Sequence, residues 1–208
     1  MTTTSGGAAL PSIIQGGMGV GVSNWVLANA VARRGQLGVV SGTSLDTVLV
    51  RCLQDGDPGG HVRRAIAQYP IPNVGADVLH RYFLDGGRAP GQPYKMLPMY
   101  TRVVSVARQQ ITMLANFVEV YLAREGHDGV VGINLLTKVQ LPNLPTLYGA
   151  MLAGVEVVLM GAGIPREIPG ALDALAVHQP AVIRFDVEGA GEPEYLTFDP
   201  GDYGTSGV

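Results

Sequence analysis

Four glycines lie close together near the start of the chain, in the stretch PSIIQGGMGVGVSNW. Gly16, Gly17, Gly19 and Gly21 follow a short apolar run and precede Ser23, a residue type that can begin a helix. Glycine loses more conformational freedom on folding than any other residue, so a cluster of glycines in ordered structure needs a reason. One reason is the close approach of a ligand to the backbone, and the other is a sharp turn.

The spacing of these glycines excludes two common nucleotide-binding motifs. Residues 16–21 read G-x-x-G-x-G, whereas a dinucleotide-binding loop reads G-x-G-x-x-G, and Val22 stands where the third glycine of that motif would fall. The sequence also contains no G-x-x-x-x-G-K-[ST] loop for a nucleoside triphosphate, no H-E-x-x-H zinc motif and no G-x-S-x-G nucleophile motif. Taken alone, the glycine cluster indicates a turn.

Small or hydrogen-bonding residues also follow the other predicted strands. Ser41 and Gly42 begin the stretch SGTS, Asn134 begins NLLTK, and Gly161 begins GAGIP. In α/β folds, ligands bind at the carboxyl ends of parallel strands, where backbone amides and helix starts converge. Such residues at successive strand ends suit a flat cofactor with a polar edge. The sequence therefore predicts a shared ligand cleft at this edge of the sheet.

Short apolar runs alternate with helix-compatible segments along the chain. Near-continuous apolar runs are typical of parallel strands that are covered on both faces. Their alternation with helices predicts an α/β fold built from right-handed βαβ units. A further short strand is predicted around residues 195–198. The main runs are residues 12–15, 37–40, 130–134, 155–160 and 181–187.

Two helices are predicted among the first of these strands. Ser23 can cap a helix that extends to about Arg34 and is ended by Gly35. Thr43 or Ser44 can cap the next helix, which Gly56 ends. The apolar face of this second helix is formed by Leu45, Val48, Leu49, Cys52 and Leu53.

Residues from about 57 to 128 break this alternation, because no strand is predicted there. Asp57 and Pro58 form a helix start, since proline is tolerated at the first helical position. Apolar residues at helical spacing predict one long amphipathic helix from Pro98 to Glu125, after a loop around residues 85–95. We expect a helical insertion that serves as a lid, as an oligomer contact or simply in packing. The apolar residues of the long helix are Met99, Val103, Val106, Ile111, Leu114, Val118 and Tyr121.

Three stretches, IIQGGMGVGVS, GVVGINLL and VVLMGAGIP, together resemble the nitronate monooxygenase family, the 2-nitropropane dioxygenase-like flavoproteins. The resemblance covers the predicted strands but not the helical insertion. It implies a (β/α)8 barrel, the TIM-barrel type, with FMN at the carboxyl-end face. It also implies an FMN-dependent oxidoreductase that oxidises alkyl nitronates or nitroalkanes with molecular oxygen.

The resemblance assigns several residues to the cofactor. Gly16, Gly17 and Met18 would pass their backbone beside the isoalloxazine ring, where a side chain would push the ring away. Asn134 matches the family's asparagine at a strand end and would form a hydrogen bond with the flavin.

Other cofactor contacts follow from position in the chain. Ser41 and Gly42 are expected to line the same face, and Gly161 lies at the end of the next strand. Many family members carry a basic residue near the tip of the fifth strand, and Arg184 is the nearest candidate for it. Lys138 either approaches the ring or phosphate or is a solvated loop lysine.

Two parts of the family pattern have no counterpart in the sequence. One is the glycine-rich loop bearing a catalytic histidine, and the other is the set of later loops that hold the FMN phosphate. Five strands are visible, whereas a barrel needs eight and about 250 residues. We therefore expect the N-terminal part of a longer barrel, or a barrel completed by a partner, and assign no catalytic base. The histidines, which are expected to be structural or solvated, are His61, His80, His127 and His178.

Two other functions stay open. An incomplete barrel could act as a binding or assembly module, with the helix from Pro98 to Glu125 mediating assembly into a homo-oligomer, or as an inactive portion of an enzyme. FMN-dependent enoyl reductases of the bacterial fatty-acid type have similar N-terminal motifs, and they would oxidise NAD(P)H.

Composition limits the function classes further. The chain has 208 residues, 47% hydrophobic and 15% charged, which indicates one globular domain with a sizeable core. A formal charge of −3 gives no reason to expect nucleic acid or an anionic membrane as a partner. The single Cys52 excludes an internal disulfide and a cysteine-rich zinc site. No signal peptide or bilayer-spanning run is recognisable, so the cytosol is the expected compartment.

Overall fold

A three-stranded parallel sheet organises the fold in the computed structural model, which describes residues 11–185, 187, 189 and 191–204. Its strands are β1 (Gly38–Ser41), β2 (Val131–Leu136) and β3 (Val157–Gly161), with β2 in the middle. Ser41 lies opposite Asn134, and Leu136 lies opposite Gly161. The carboxyl ends of the three strands therefore meet at one edge, as the sequence predicts.

The predicted strand at residues 12–15 adds only a single bridge to this sheet. Ile14 pairs in parallel with Leu37, and the backbone N–H of Gln15 donates to the carbonyl of Leu37 at 3.0 Å. The α/β class is thus confirmed. The sheet formed by the described residues is not closed, and no (β/α)8 barrel is formed by them.

The last two strands form a separate antiparallel pair, β4 (Ala181–Phe185) and β5 (Glu194–Phe198). The presence of β5 confirms the short strand predicted there, but the prediction of β4 as a further parallel strand is wrong. Antiparallel partners can be joined by a short connection such as 186–193, whereas parallel partners need a longer crossover. Buried and exposed residues also alternate along β4, as expected of a strand with one covered face.

Helices connect the strands and pack on the sheet. Helix α1 contacts β1 and β2, and the long helix α5 contacts the same two strands together with α1, α2 and α6. The helices are α1 (Trp25–Ala32), α2 (Leu45–Gln54), α3 (His61–Ile66), α4 (Val74–Tyr82), α5 (Val106–Arg124), α6 (Asn143–Leu152) and α7 (Ile168–Ala176), with 3-10 turns at Pro58–Gly60 and Pro200–Tyr203.

The starts of α1 and α2 differ in detail from the predictions. Asn24, not Ser23, caps α1, because its side-chain oxygen accepts the backbone N–H of Leu27 at 3.2 Å. The Ser23 hydroxyl instead donates to the carbonyl of Met18 at 2.7 Å, which closes the glycine-rich turn. Ser44 is the N-cap of α2, as predicted, but it has φ 58° and its side chain forms no capping hydrogen bond.

Helix α5 is shorter than predicted and lies in the core. It begins at Val106, after Ser105 accepts the backbone N–H of Arg108 at 3.3 Å, so the prediction of helix over residues 98–105 is wrong. Met99 and Val103 fit the helical spacing but are 87% and 84% exposed. As predicted, the described residues between 57 and 128 contain no strand. None of the helices in the described part of the chain has the length and apolar character needed to cross a bilayer.

Candidate functional site

The glycine-rich segment lies on the parallel sheet, and Gly17 is its closest point of approach. A Cβ atom at Gly17 would lie 2.4 Å from Cγ1 of Val39 in β1 and 2.8 Å from Cβ of Asn134 in β2. Gly17 also has φ +66°, a left-handed conformation that favours glycine. Packing within the protein and backbone conformation therefore account for glycine at position 17.

At Gly16 and Gly161, neither close packing nor a left-handed backbone conformation requires glycine. A Cβ atom at Gly16 would come no closer than 3.9 Å to another residue, and one at Gly161 no closer than 3.7 Å. Neither glycine has a left-handed φ. Gly16 is exposed beside the carboxyl ends of β1 and β2, and Gly161 ends β3. Both positions leave open space at the edge where a ligand is predicted.

Asn134 ties the glycine-rich segment to β2. Its Nδ2 donates to the carbonyl of Gly16 at 2.7 Å and lies 3.6 Å from the sulfur of Met18. No described residue donates a hydrogen bond to Oδ1 of Asn134. The side chain of Met18 is 61% exposed next to this amide. Nδ2 of Asn134 thus holds the glycine-rich segment in place, and Oδ1 is available to accept a hydrogen bond.

Ser41 and Gly42 lie deeper than Gly16. The backbone N–H of Ser41 donates to the carbonyl of Ser23, and that of Gly42 donates to the carbonyl of Asn134, both at 2.9 Å. Ser41 is 5% exposed. A Cβ atom at Gly42 would lie 2.6–2.8 Å from the side chains of the β2 residues that face it, so packing accounts for this glycine too.

Arg184 lies away from Gly16, in a cavity of about 680 Å³ beyond the carboxyl ends of β2 and β3. Lys138 and Arg166 also line this space, which we name the cationic cavity. Glu167, the one carboxylate among the lining residues that the structure describes, accepts the backbone N–H of Arg184. The hydroxyl of Thr137 in the same wall is buried and has no hydrogen-bond partner among the described residues. An excess of cationic side chains and an unpaired hydroxyl suit an anionic group.

A buried polar cluster was not predicted from the sequence. Nη1 of Arg108 lies 2.7 Å from Oδ2 of Asp46 and 3.0 Å from Oγ1 of Thr112, and the Tyr100 hydroxyl lies 2.6 Å from that same oxygen. Arg108, Thr112 and Asn116 are spaced four residues apart in α5, which places them on one face of the helix. Polar residues at this spacing within an apolar helix are the sequence signal that could have indicated the cluster.

No histidine lines the glycine-rich edge or the cationic cavity. Nδ1 of His127 accepts the backbone N–H of Gly129 at 3.0 Å, and its Nε2 lies 2.7 Å from the carbonyl of Ala123. Nδ1 of His178 lies 2.7 Å from the Tyr148 hydroxyl. Both of these histidines therefore form hydrogen bonds within the fold. Burial raises the pKa of the Cys52 thiol to about 11, which keeps it protonated at neutral pH.

Glu119 is a buried carboxyl group in α5. Its Oε1 accepts the backbone N–H of Trp25 at 2.6 Å, at the first turn of α1. Burial raises the pKa of Glu119 from 4.5 to about 7, and the hydrogen bond from Trp25 only partly opposes this. Between about pH 4.5 and pH 7, Glu119 is therefore mainly protonated in the folded protein and mainly deprotonated in the unfolded chain.

A Glu119→Gln variant is expected to lose this pH dependence. The stabilisation from the raised pKa is complete below pH 4.5 and disappears as the pH rises through 7. Between pH 5 and pH 8, the free energy of unfolding of the wild type should fall by about 2 kcal/mol relative to the variant. Urea unfolding of both proteins at the two pH values measures the difference. The exposed Glu192→Gln variant should follow the wild type, and parallel behaviour of Glu119→Gln would contradict the expectation.

Comparison with known proteins identifies no relative of the chain. No protein-family model, no curated protein and no solved structure matches the chain. Among the residues described by the structure, no group of three or more His, Cys, Asp or Glu side chains could hold a metal ion. The chemistry of the site therefore rests on the glycine-rich segment, Asn134 and the cationic cavity.

Proposed function

We propose that the chain is an FMN-dependent oxidoreductase of the nitronate monooxygenase type, with a fold of the β/α-barrel kind. The observation that supports this most directly is Gly16. It is an exposed glycine that neither packing nor backbone conformation requires, and it adjoins an asparagine with an unused acceptor. A flat ring can lie against such a backbone, because no side chain keeps it away.

The polar groups around Gly16 fit the edge of an isoalloxazine ring. Oδ1 of Asn134 can accept the imide N–H of the flavin. The backbone N–H groups of residues 16–18 donate to no other described residue, so they can donate to acceptors on the ring. A ring with alternating donors and acceptors needs groups of both kinds. The exposed side chain of Met18 would add an apolar contact.

The cationic cavity fits the phosphate of FMN. It lies at the same edge of the sheet as Gly16, beyond the ends of β2 and β3. Lys138, Arg166 and the buried hydroxyl of Thr137 are groups of the kinds that bind phosphate oxygens. The phosphate would then depend on this edge of the sheet rather than on the later loops of the family pattern.

The chemistry that bound FMN would supply is the transfer of electrons from the nitronate to molecular oxygen. The chain's own residues bind and orient: Asn134 fixes the ring edge, and Lys138 and Arg166 hold the anionic end. No histidine of the described residues lines this edge. The nitronate, which is already deprotonated, is therefore the form of the substrate that these residues suit, since a nitroalkane would first have to lose a proton.

An absorbance titration of the 208-residue chain with FMN tests the proposal. Wild-type protein is expected to shift the flavin bands and to saturate near one equivalent. Gly16→Val should weaken FMN binding about tenfold or more, because its side chain fills the space needed by the ring, and a tenfold change corresponds to about 1.4 kcal/mol. Gly191→Val is the matched control, since a Cβ atom there has no neighbour within 4 Å and one at Gly16 has none closer than 3.9 Å. Both variants should unfold at the wild-type temperature.

Two outcomes would contradict the proposal: no binding of FMN by the wild type, or equal binding by Gly16→Val and wild type. Riboflavin, which lacks the phosphate, should bind more weakly than FMN to the wild type, and Lys138→Gln should reduce that difference. Oxygen uptake with propyl-2-nitronate tests the reaction itself. Oxidation of NAD(P)H without nitronate-dependent oxygen uptake would favour the enoyl reductase alternative.

A further inference from the structure

A second cavity, of about 540 Å³, lies between α2 and α5 and is covered by residues 96–100 and 138–142. We name it the Asn116 cavity. Gly42 and Lys138 reach its wall, but Gly16 and Asn134 do not. Its size falls within the range of small-molecule sites. The apolar part of its wall includes Leu45, Met96, Leu97, Pro98, Met99 and Leu141.

Asn116 lines this cavity and has a buried acceptor without a partner. The residue is 1% exposed, and its Nδ2 donates to the carbonyl of Thr112 at 2.8 Å and to Oγ1 of Thr146 at 3.4 Å. Its Oδ1 is buried without a hydrogen-bond partner among the described residues. A buried acceptor left unpaired costs about 1–3 kcal/mol, so a partner for it would be stabilising.

Two of the three ionic residues among the described lining, Arg108 and Asp46, pair with each other. Arg108 lies 2.7 Å from Asp46, and its Nε donates to the carbonyl of Pro98 at 2.8 Å. The guanidinium also stacks over the ring of Tyr100, with 4.3 Å between its central carbon and the ring centroid. Lys138 is exposed and also lines the cationic cavity. The described wall of the Asn116 cavity is therefore mainly apolar, its buried ion pair is already formed, and Oδ1 of Asn116 is its buried acceptor without a partner.

We propose that the Asn116 cavity binds an uncharged, mainly apolar organic molecule that carries one N–H or O–H group, and that this group donates its hydrogen to Oδ1 of Asn116. The apolar wall selects the body of the ligand, and the unpaired acceptor selects the donor. A charged ligand would lose hydration, and the only ionic residue of the described lining outside the buried ion pair is Lys138, which is exposed. The site does not depend on the contacts proposed for the flavin ring, because it shares neither Gly16 nor Asn134 with them, although Lys138 lines both this cavity and the cationic cavity.

Indole and benzofuran are suitable probes, because they have nearly the same shape and differ in a ring N–H that benzofuran replaces by oxygen. In a ¹H–¹⁵N NMR titration, indole is expected to shift the backbone amide signals of the residues other than proline in the ranges 96–100 and 138–142. Benzofuran should bind about fivefold more weakly than indole, because it lacks the ring N–H and one neutral hydrogen bond contributes about 1 kcal/mol. Asn116→Leu should bring the two affinities together, because leucine has a similar size and accepts no hydrogen bond.

A second pair of variants tests the location even where Asn116→Leu folds poorly. Val139 lines the cavity, and Val139→Trp should weaken indole binding at least about fivefold by occupying space at the wall. Val177 is 64% exposed and lies outside this cavity, so Val177→Trp should leave the affinity unchanged. Equal binding of indole and benzofuran by the wild type, or unchanged indole binding by Val139→Trp, would overturn the proposal.

Discussion

Replacing Arg108 by methionine is expected to lower the free energy of unfolding by about 3–5 kcal/mol, the usual cost of removing one partner of a buried ion pair. The side chains of Arg108 and Asp46 are only 9% and 8% exposed, and the pair is 2.7 Å apart. Without the guanidinium, the Asp46 carboxylate would stay buried with Thr47 and Thr112 as its remaining donors. Urea unfolding followed by circular dichroism measures the loss.

Two further variants separate the buried charge from the lost packing. The double variant Asp46→Leu with Arg108→Met should recover at least about half of the loss, because no unpaired charge remains. Arg102→Met is the exposed control: Arg102 is 2.9 Å from Glu194, but its side chain is 69% exposed, so the change should stay below about 1 kcal/mol. An Arg108→Met variant that is no less stable than Arg102→Met would contradict the assigned role of the pair.

Replacing Gly149 by alanine is expected to destabilise the protein by about 3 kcal/mol, the upper part of the usual cost of overpacking. Gly149 lies in α6, where that helix packs on α5. A Cβ atom there would lie 2.1 Å from the backbone carbonyl oxygen of Met113 and 2.7 Å from its carbonyl carbon. Backbone atoms cannot move aside as a side chain can, so the two helices would have to separate.

Gly170→Ala is the matched control for this prediction, since Gly170 also lies within a helix, α7. A Cβ atom at Gly170 has no neighbour within 4 Å, and alanine favours the helix over glycine by about 0.5–1 kcal/mol. The two substitutions should therefore change the free energy of unfolding in opposite directions. Equal effects of the two alanines would show that α5 and α6 do not meet at Gly149.

The parallel sheet was predictable because each of its strands is recognisable from its own short run of residues. The runs that become β1, β2 and β3 are apolar almost without interruption, which indicates strands covered on both faces. The run AVIRF is apolar except for Arg184, yet it forms β4 of an antiparallel pair. Its partner, β5, comes later in the chain, and the composition of β4 alone does not determine that pairing. The start of α5 was missed for a similar reason, because helical spacing at Met99 and Val103 does not show whether anything covers them.

The sequence predicts which edge of the sheet carries the candidate site, but it does not distinguish the roles of the individual residues there. The sequence pattern treats Gly16 and Gly17 alike, but the structure distinguishes them. A Cβ atom at Gly17 would collide with Val39 and Asn134, whereas one at Gly16 would meet neither of them. That difference depends on residues far along the chain, which no local pattern contains. The Asn116 cavity was not predicted, because the sequence does not show which atoms of an asparagine in an apolar helix have hydrogen-bond partners.

The order of the strands in the sheet has a consequence for how the chain folds. β1 pairs with β2, although all of α2, α3, α4 and α5 lie between them in the chain. Contacts between such distant residues form slowly, because a long loop must be closed before the pairing compensates for the lost chain entropy. During synthesis β1 leaves the ribosome well before its partner. The nascent chain therefore carries an unpaired apolar strand until α5 has formed and β2 has arrived to cover its edge.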